Sequence, residues 1–388
     1  MVTTVCVVSG SRAEYGMLRW IIHDLRNSSE FRLQLIVTGM HLVAEFGSTI
    51  DEIKRDGVIA DKCVHMLLAS DVPVGISKSV GVGVIGMADA LAALDPDIVL
   101  LLGDRFEIFA AAQVCMLQKI PIAHIAGGDV TEGAIDESIR HAITKMAHVH
   151  FATNQKSADR IRQMGEDPAR VFVVGSPGLD QLYRESLPDR VALEAELGES
   201  LGETNILATF HPVTLAADGG LFEFGELLAA LDRFGPKTRI WFTYPNADAS
   251  GAALASVLGS WAEKKRDQVR IYRSLGHRRY LGLMKHADVV AGNSSSALYE
   301  APSLGVAAVD VGDRQRGRLA GQSVVHADGN RESIYAALVR AMAMDCRSVD
   351  NPYGDGEASG RILGVLRRLP ARDLLIRKRF VPIETSRD

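Results

Sequence analysis

Five short segments combine residue types that can do chemistry, and each follows an apolar run. The densest runs from His124 to Glu137. There Gly127 and Gly128 lead into Asp129, Glu132, Asp136 and Glu137. Carboxylates held this close share protons, shift one another's pKa values and can serve as acid and base. A second segment, Gly103-Asp104-Arg105-Phe106-Glu107, follows the apolar run Ile98–Leu102. Asp104 with Glu107 three residues on also has the spacing of a helix capping box, so a structural role competes with catalysis there. The further acids at the same strand edge favour chemistry for Asp104. The third segment is Thr209-Phe210-His211-Pro212, where His211 suits proton transfer or a contact to a diphosphate.

The remaining two segments suit anions. Gly292-Asn293-Ser294-Ser295-Ser296 offers backbone N–H groups and three hydroxyls at the start of a helical pattern, which makes a phosphate cradle. Simple capping would need one serine rather than three. Glu300 on the same helix could accept both hydroxyls of a ribose, and Arg314 in Gly312–Arg318 could neutralise a diphosphate. Ser9–Gly16 is rich in small residues and carries Arg12, so its backbone could approach a phosphate. It lacks the GxGxxG spacing of a dinucleotide site.

The elements that must position these groups alternate regularly. Strand-like runs are expected at Val5–Ser9, Leu33–Thr38, Cys63–Leu68, Ile98–Leu102, Ile120–Ile125, Val149–Ala152 and Val171–Val174, with helical patterns between most of them. The charged stretch Leu182–Thr204 reads as a crossover. The pattern then restarts, with strands expected at Ile206–Phe210, Arg239–Phe242, Val269–Ile271, Val289–Ala291 and Ala307–Val311. Continuous apolar strands alternating with helices predict parallel sheets covered on both faces. The expected fold class is α/β, two Rossmann-like doubly wound domains facing a cleft. The first spans residues 1–182 and carries the carboxylates. The second spans 183–365 and holds a nucleotide. A basic tail, 366–388, packs back on them. Ligands of open α/β sheets bind at the C-terminal strand ends, where all five segments fall.

Composition excludes several classes. The chain has 388 residues, 47% of them hydrophobic, enough for two cores, and a formal net charge of −5. That charge attracts neither nucleic acid nor an anionic membrane. The four cysteines are scattered, with no pair at metal-ligand or redox spacing. No signal peptide is expected, and the longest apolar stretch, Gly83–Gly103, is interrupted by Asp89, Asp95 and Asp97. Spacing alone thus supports a two-domain enzyme with an anionic nucleotide on one half and carboxylates on the other. A glycosyltransferase and a nucleotide-sugar sensor without turnover stay open on these grounds.

Taken together, the motifs GSRAEYG, TGMHL, GDRFE, IRHAITKMAH, FHPVT, GNSSS and GDRQRGR, with Asn351-Pro352-Tyr353, resemble those of the hydrolysing UDP-N-acetylglucosamine 2-epimerases. The resemblance runs from Val5 to about Arg318. It implies the two-Rossmann arrangement of B-type glycosyltransferases and an elimination–addition. UDP leaves C1 as the C2 proton is removed, giving a 2-acetamidoglucal; water then adds and the proton returns on the opposite face. By this resemblance the first essential carboxylate falls on Asp104 and the histidine on His211. The phosphate-binding serines fall on Ser294 and Ser295, the ribose-binding glutamate on Glu300, and basic contacts on Arg12 and Arg314. Some members have glutamate directly after His-Ile, where this chain has Ala126. The second catalytic group is therefore assigned to Asp129 first, then Asp136, then Glu132. Ala126 also leaves room for a bulkier sugar, such as the N,N′-diacetylbacillosamine of legionaminic-acid synthesis. The scattered cysteines fit a cytoplasmic protein, and the resemblance further implies a homodimer or homotetramer that needs no cofactor and no metal.

Overall fold

The computed structural model describes residues 2–44, 49–70, 72–131, 135–213, 218–244, 249–273 and 275–382. The chain divides into two compact units. The first holds residues up to Val130, Ile135–Asp180 and the C-terminal stretch from Tyr353; the second is built mainly from Gln181–Pro352.

The first unit is a seven-stranded parallel sheet in the order β3-β2-β1-β4-β5-β6-β7. Its strands are β1 (Thr3–Ser9), β2 (Phe31–Thr38), β3 (Lys62–Val64), β4 (Ile98–Leu102), β5 (Ile122–Ile125), β6 (Val149–Ala152) and β7 (Val171–Val173). Side chains alternate across the pleat. Val5, Val7, Leu100 and Leu102 join one core, while Cys6, Val8, Val99 and Leu101 join the other, so the sheet is buried on both faces. Between its strands run the helices α1 (Arg12–Asn27), α2 (Ile50–Arg55), α3 (Pro73–Leu94), α4 (Phe106–Leu117), α5 (Ile135–Met146) and α6 (Gln155–Gln163). In α1, Leu18, Ile21, Ile22 and Leu25 recur at helical spacing and are all buried.

The second unit is a six-stranded parallel sheet in the order β10-β9-β8-β11-β12-β13. Its strands are β8 (Thr204–Thr209), β9 (Thr238–Thr243), β10 (Val269–Tyr272), β11 (Val289–Gly292), β12 (Ala308–Val311) and β13 (Val324–Ala327). Both sheets therefore have the doubly wound order, and in each the strand order reverses beside the first strand. That reversal puts a crevice at the C-terminal ends of β1 and β4, and another at those of β8 and β11.

Three expectations are corrected. The second domain does not extend to residue 365. The helix Ala358–Leu366 buries Ile362, Leu363, Val365 and Leu366 in the core that contains Leu18 and Ile22 of α1, so it belongs to the first unit. Strand β13 and helix α6 were not anticipated; α6 is strongly polar and shows few apolar positions. Finally, α3 spans 22 residues and starts ten residues earlier than the apolar stretch Gly83–Gly103 singled out from sequence. By length and composition it is apolar enough to cross a membrane. Its inner face, Gly83, Met87, Ala90 and Leu91, packs on the sheet instead.

Candidate active site

In the first unit, the ends of β4 and β5 carry the carboxylates. Asp104 does not cap α4. The helix begins from Arg105, which makes no side-chain cap, and Glu107 turns to Arg105, accepting from its guanidinium at 2.7 and 3.2 Å. The capping-box reading is thus overturned. Asp104 is instead paired with Arg140 of α5, which is almost fully buried. Arg140 also donates to the carbonyl of Asp129 at 2.8 Å and to Glu137 at 3.3 Å. One guanidinium therefore ties together the loops after β4 and β5. His124 ties them a second time. Its Nε2 lies 2.7 Å from the Gly103 carbonyl and is its hydrogen-bond donor. Burial lowers the His124 pKa to about 3, so the ring is a neutral strut.

Asp136, on the first turn of α5, lies one helical turn before Arg140. Its carboxyl is pushed above the usual range, by burial first and then by the charge of Asp104. The structure thus brings Asp104 and Asp136 into one another's field. Asp129 sits differently. Its Oδ1 accepts from Thr153 at 2.8 Å and Ser157 at 2.5 Å, which fixes it to the end of β6 and to α6. Glu132 lies outside the described residues.

At the end of β1, the expected anion site is filled by the chain itself. Glu14 reaches back to accept from the Gly10 N–H at 2.8 Å and from Ser11 Oγ at 3.3 Å, while Ser11 caps the Glu14 N–H. A carboxyl thus takes the place an incoming phosphate would need. Arg12 is half-exposed and lies 3.0 Å from Glu52.

In the second unit, Asn293 organises the crevice. Its side chain accepts from the His211 N–H at 2.6 Å and donates to the His211 carbonyl at 2.8 Å. Its own carbonyl accepts from Arg314 at 2.9 Å and from Gln315 at 2.7 Å. Three loops are held by one buried amide. Gly292 makes the turn, with φ of 125°; a Cβ there would lie 2.0 Å from the Thr209 carbonyl oxygen. Ser294 is nearly buried, its Oγ 3.3 Å from that of Ser296. The helix expected to carry Glu300 is interrupted: Ser296–Tyr299 is α-helical and Pro302–Leu304 a 3-10 turn, so no long helix dipole points at this crevice.

Glu300 Oε2 is buried without a hydrogen-bond partner, and burial raises its carboxyl to about 7. His211 is pushed down to about 4, by burial first and then by Arg314. The ring is therefore neutral at pH 7 and offers a hydrogen bond rather than a charge. Its Nδ1 has no partner. Arg140, His124, Gln315 and Glu14 all lie in the segments singled out from sequence, but no role was assigned to any of them there; for Arg140 the signal was its position one helical turn beyond Asp136.

The same chain matches known proteins over nearly its whole length. The family model described as UDP-N-acetylglucosamine 2-epimerase covers residues 23–367. A Campylobacter jejuni protein named GDP/UDP-N,N′-diacetylbacillosamine 2-epimerase (hydrolyzing) is 38% identical over 326 residues, covering 84% of each chain. The Escherichia coli polysialic acid biosynthesis protein P7 is 35% identical over 334 residues, covering 86% of this chain and 85% of its own. The crystal structure of Neisseria meningitidis UDP-GlcNAc 2-epimerase bound to UDP-GlcNAc shares the fold. It superposes with a TM-score of 0.77 at 20% identity, over 94% of this chain and 99% of that one. The chain belongs to the hydrolysing branch of the UDP-N-acetylglucosamine 2-epimerase family of enzymes.

Proposed function

We propose that the chain converts UDP-N-acetylglucosamine and water to UDP and N-acetylmannosamine, by elimination and hydration with inversion at C2. The observation that carries this reading is the Asp104–Asp136 pair at the C-terminal edge of the first sheet. A base must take the C2 proton as the C1–O bond breaks and UDP departs with that electron pair, leaving a C1=C2 double bond. Water then adds hydroxyl at C1, and an acid delivers a proton to the opposite face of C2. Two carboxyls can divide these tasks. Asp104, oriented by Arg140, is the group in contact with the sugar. Asp136, whose carboxyl is raised above the usual range by burial and by the charge of Asp104, delivers it. Asp129 is a lesser candidate, because Thr153 and Ser157 already claim its carboxylate.

The second unit holds the nucleotide in this reading. Ser294, Ser295, Ser296 and Arg314 meet the diphosphate, neutral His211 donates a hydrogen bond to it, and Glu300 accepts from the ribose. Arg12, already facing Glu52, is the weakest of the proposed phosphate contacts. The enzyme is read as a cytoplasmic homo-oligomer. Turnover in D2O tests the chemistry: UDP is released and deuterium appears at C2 of the free N-acetylmannosamine. UDP release without C2 label, or a UDP-linked product, defeats it.

A second reading has its own support. The Campylobacter relative's name specifies N,N′-diacetylbacillosamine, and Ala126 leaves room beside the carboxylates. The same elimination would then act on a sugar bearing a second acetamido group. Comparing kcat/KM on the two UDP-sugars decides between them.

A further inference from the structure

A tyrosine lies beside the serine loop of the second unit with its hydroxyl unpaired. Tyr280 sits on the helix His277–Lys285, whose Leu283 and Met284 join the core of Trp241 and Val290. The Tyr280 ring packs against that core and stays partly exposed. Its hydroxyl, by contrast, is buried and has no hydrogen-bond partner among the described residues. A buried polar group in that state is destabilising, so its presence needs a reason. Burial pushes the phenol above its ordinary value, and the nearby hydroxyls of Ser296, Thr209 and Ser294 offset part of the rise. The neutral phenol thus has one proton to donate and three oxygens close by.

The three oxygens are not equivalent. Thr209 is engaged already, its Oγ1 2.5 Å from that of Thr243. Ser294 and Ser296 are joined only by long contacts, Oγ to Oγ at 3.3 Å and Ser296 N–H to Ser294 Oγ at 3.4 Å. Ser296 also adjoins the second unpaired group here. Burial raises the Glu300 carboxyl, and the Ser296 side chain opposes that rise. Ser296 therefore stands between a phenol with a proton to give and a carboxyl able to accept one. A serine hydroxyl has a single proton, so its neighbours decide where that proton points. With ribose hydroxyls on Glu300 and the Tyr280 proton on the Ser296 oxygen, the Ser296 proton is left facing a phosphate. Such hydrogen bonds are long in a free enzyme and tighten when the ligand arrives. We infer that Tyr280 is a positioning residue of the phosphate-binding loop, whose hydroxyl donates to Ser296 and so directs the Ser296 proton onto a nucleoside diphosphate. The inference rests on the proposed placement of the nucleotide on the second unit.

Calorimetric titration of UDP into the full chain tests this through a double-variant cycle. Tyr280→Phe keeps the ring and removes only the hydroxyl. It should weaken UDP about five- to tenfold. The melting temperature of the ligand-free protein should not fall, because the hydroxyl has no partner there. Ser296→Ala should weaken UDP at least as much. Tyr280→Phe/Ser296→Ala should then bind UDP as Ser296→Ala does, since the tyrosine acts through the serine. A tyrosine with a merely structural role would lower the melting temperature when changed to Phe, and that result overturns the inference. So does a double variant whose loss is the product of the two single losses. Wild-type UDP affinity in Tyr280→Phe or in Ser296→Ala overturns it too, while the nucleotide placement stands if Arg314→Ala weakens UDP. If Ser296→Ala and Arg314→Ala both bind UDP as wild type does, the nucleotide placement itself fails and the inference falls with it.

Discussion

Arg140 decides how Asp104 is held. The arginine is buried, so the carboxylate it pairs with is held in one place rather than solvated in many. Replacing Asp104 by Asn should lower kcat/KM about 10²–10⁴-fold while UDP still binds, because the proposed nucleotide contacts lie on other residues. Asp136→Asn should do the same, and Asp129→Asn should mainly lower thermal stability by freeing Thr153 and Ser157. Equal losses of activity in all three would return Asp129 to the catalytic set. Ala126 is a second residue-scale constraint. It has φ of 62°, a left-handed conformation that costs a side chain ~1–2 kcal/mol. Ala126→Gly should therefore raise the melting temperature, whereas Ala126→His should depress kcat/KM on the doubly acetamidated sugar more than on UDP-N-acetylglucosamine. Glu300 links residue to pH. Its carboxyl, raised to about 7, binds its proton more tightly folded than unfolded. That stabilisation is complete below the ordinary range near 4.5 and is lost as pH rises through about 7. Two ribose hydroxyls donating to Glu300 would favour its charged form. UDP binding at pH 6 should then release a proton, measured by calorimetry in buffers of different ionisation enthalpy. Glu300→Gln should abolish that release.

At the scale of elements, the positions of the strand ends were legible and the partners across them were not. The apolar run Ile98–Leu102 predicts β4 to the residue, and that fixes Gly103 and Asp104 at its C-terminal edge. Nothing local in the sequence says that Arg140, on a helix 36 residues later, pairs with Asp104. Such a pairing depends on the register of β4 against β5, a long-range property. The same limit explains the misplaced domain boundary. The apolar positions of Ala358–Leu366 announce an amphipathic helix but carry no address, and the core beside α1 claims it. Leu363→Ala should accordingly destabilise the first unit by about 2–5 kcal/mol, although it lies 190 residues beyond Val173, where the last strand of that unit, β7, ends. Gly292 is the counterpart in the second unit. Gly292→Ala drives a methyl group into the Thr209 carbonyl, so β8 and β11 must separate at the point where Asn293 joins them. A cost on the order of 3 kcal/mol should appear as lost UDP binding before global unfolding.

For the molecule as a whole, two sheets of the same strand order each own their cores, three clusters in the first unit and two in the second among the described residues. This repetition was readable early, because strand-helix alternation stops at a charged stretch and starts again. Separate cores have a thermodynamic consequence: the two units need not unfold together. The tryptophans allow the second unit to be watched. Trp241 and Trp261 belong to it, and Trp20 on α1 is the only one in the first. In a Trp20→Phe background, tryptophan emission follows the second unit, while calorimetry follows both. If Ser294, Glu300 and Arg314 hold the nucleotide, UDP at a hundred times its Kd should stabilise the emission transition by about 2.7 kcal/mol. Glu300→Gln should shrink that shift, and Asp104→Asn should leave it intact. An emission transition that UDP does not move, in a protein that still binds UDP, would place the nucleotide on the first unit and reverse the proposed division of labour.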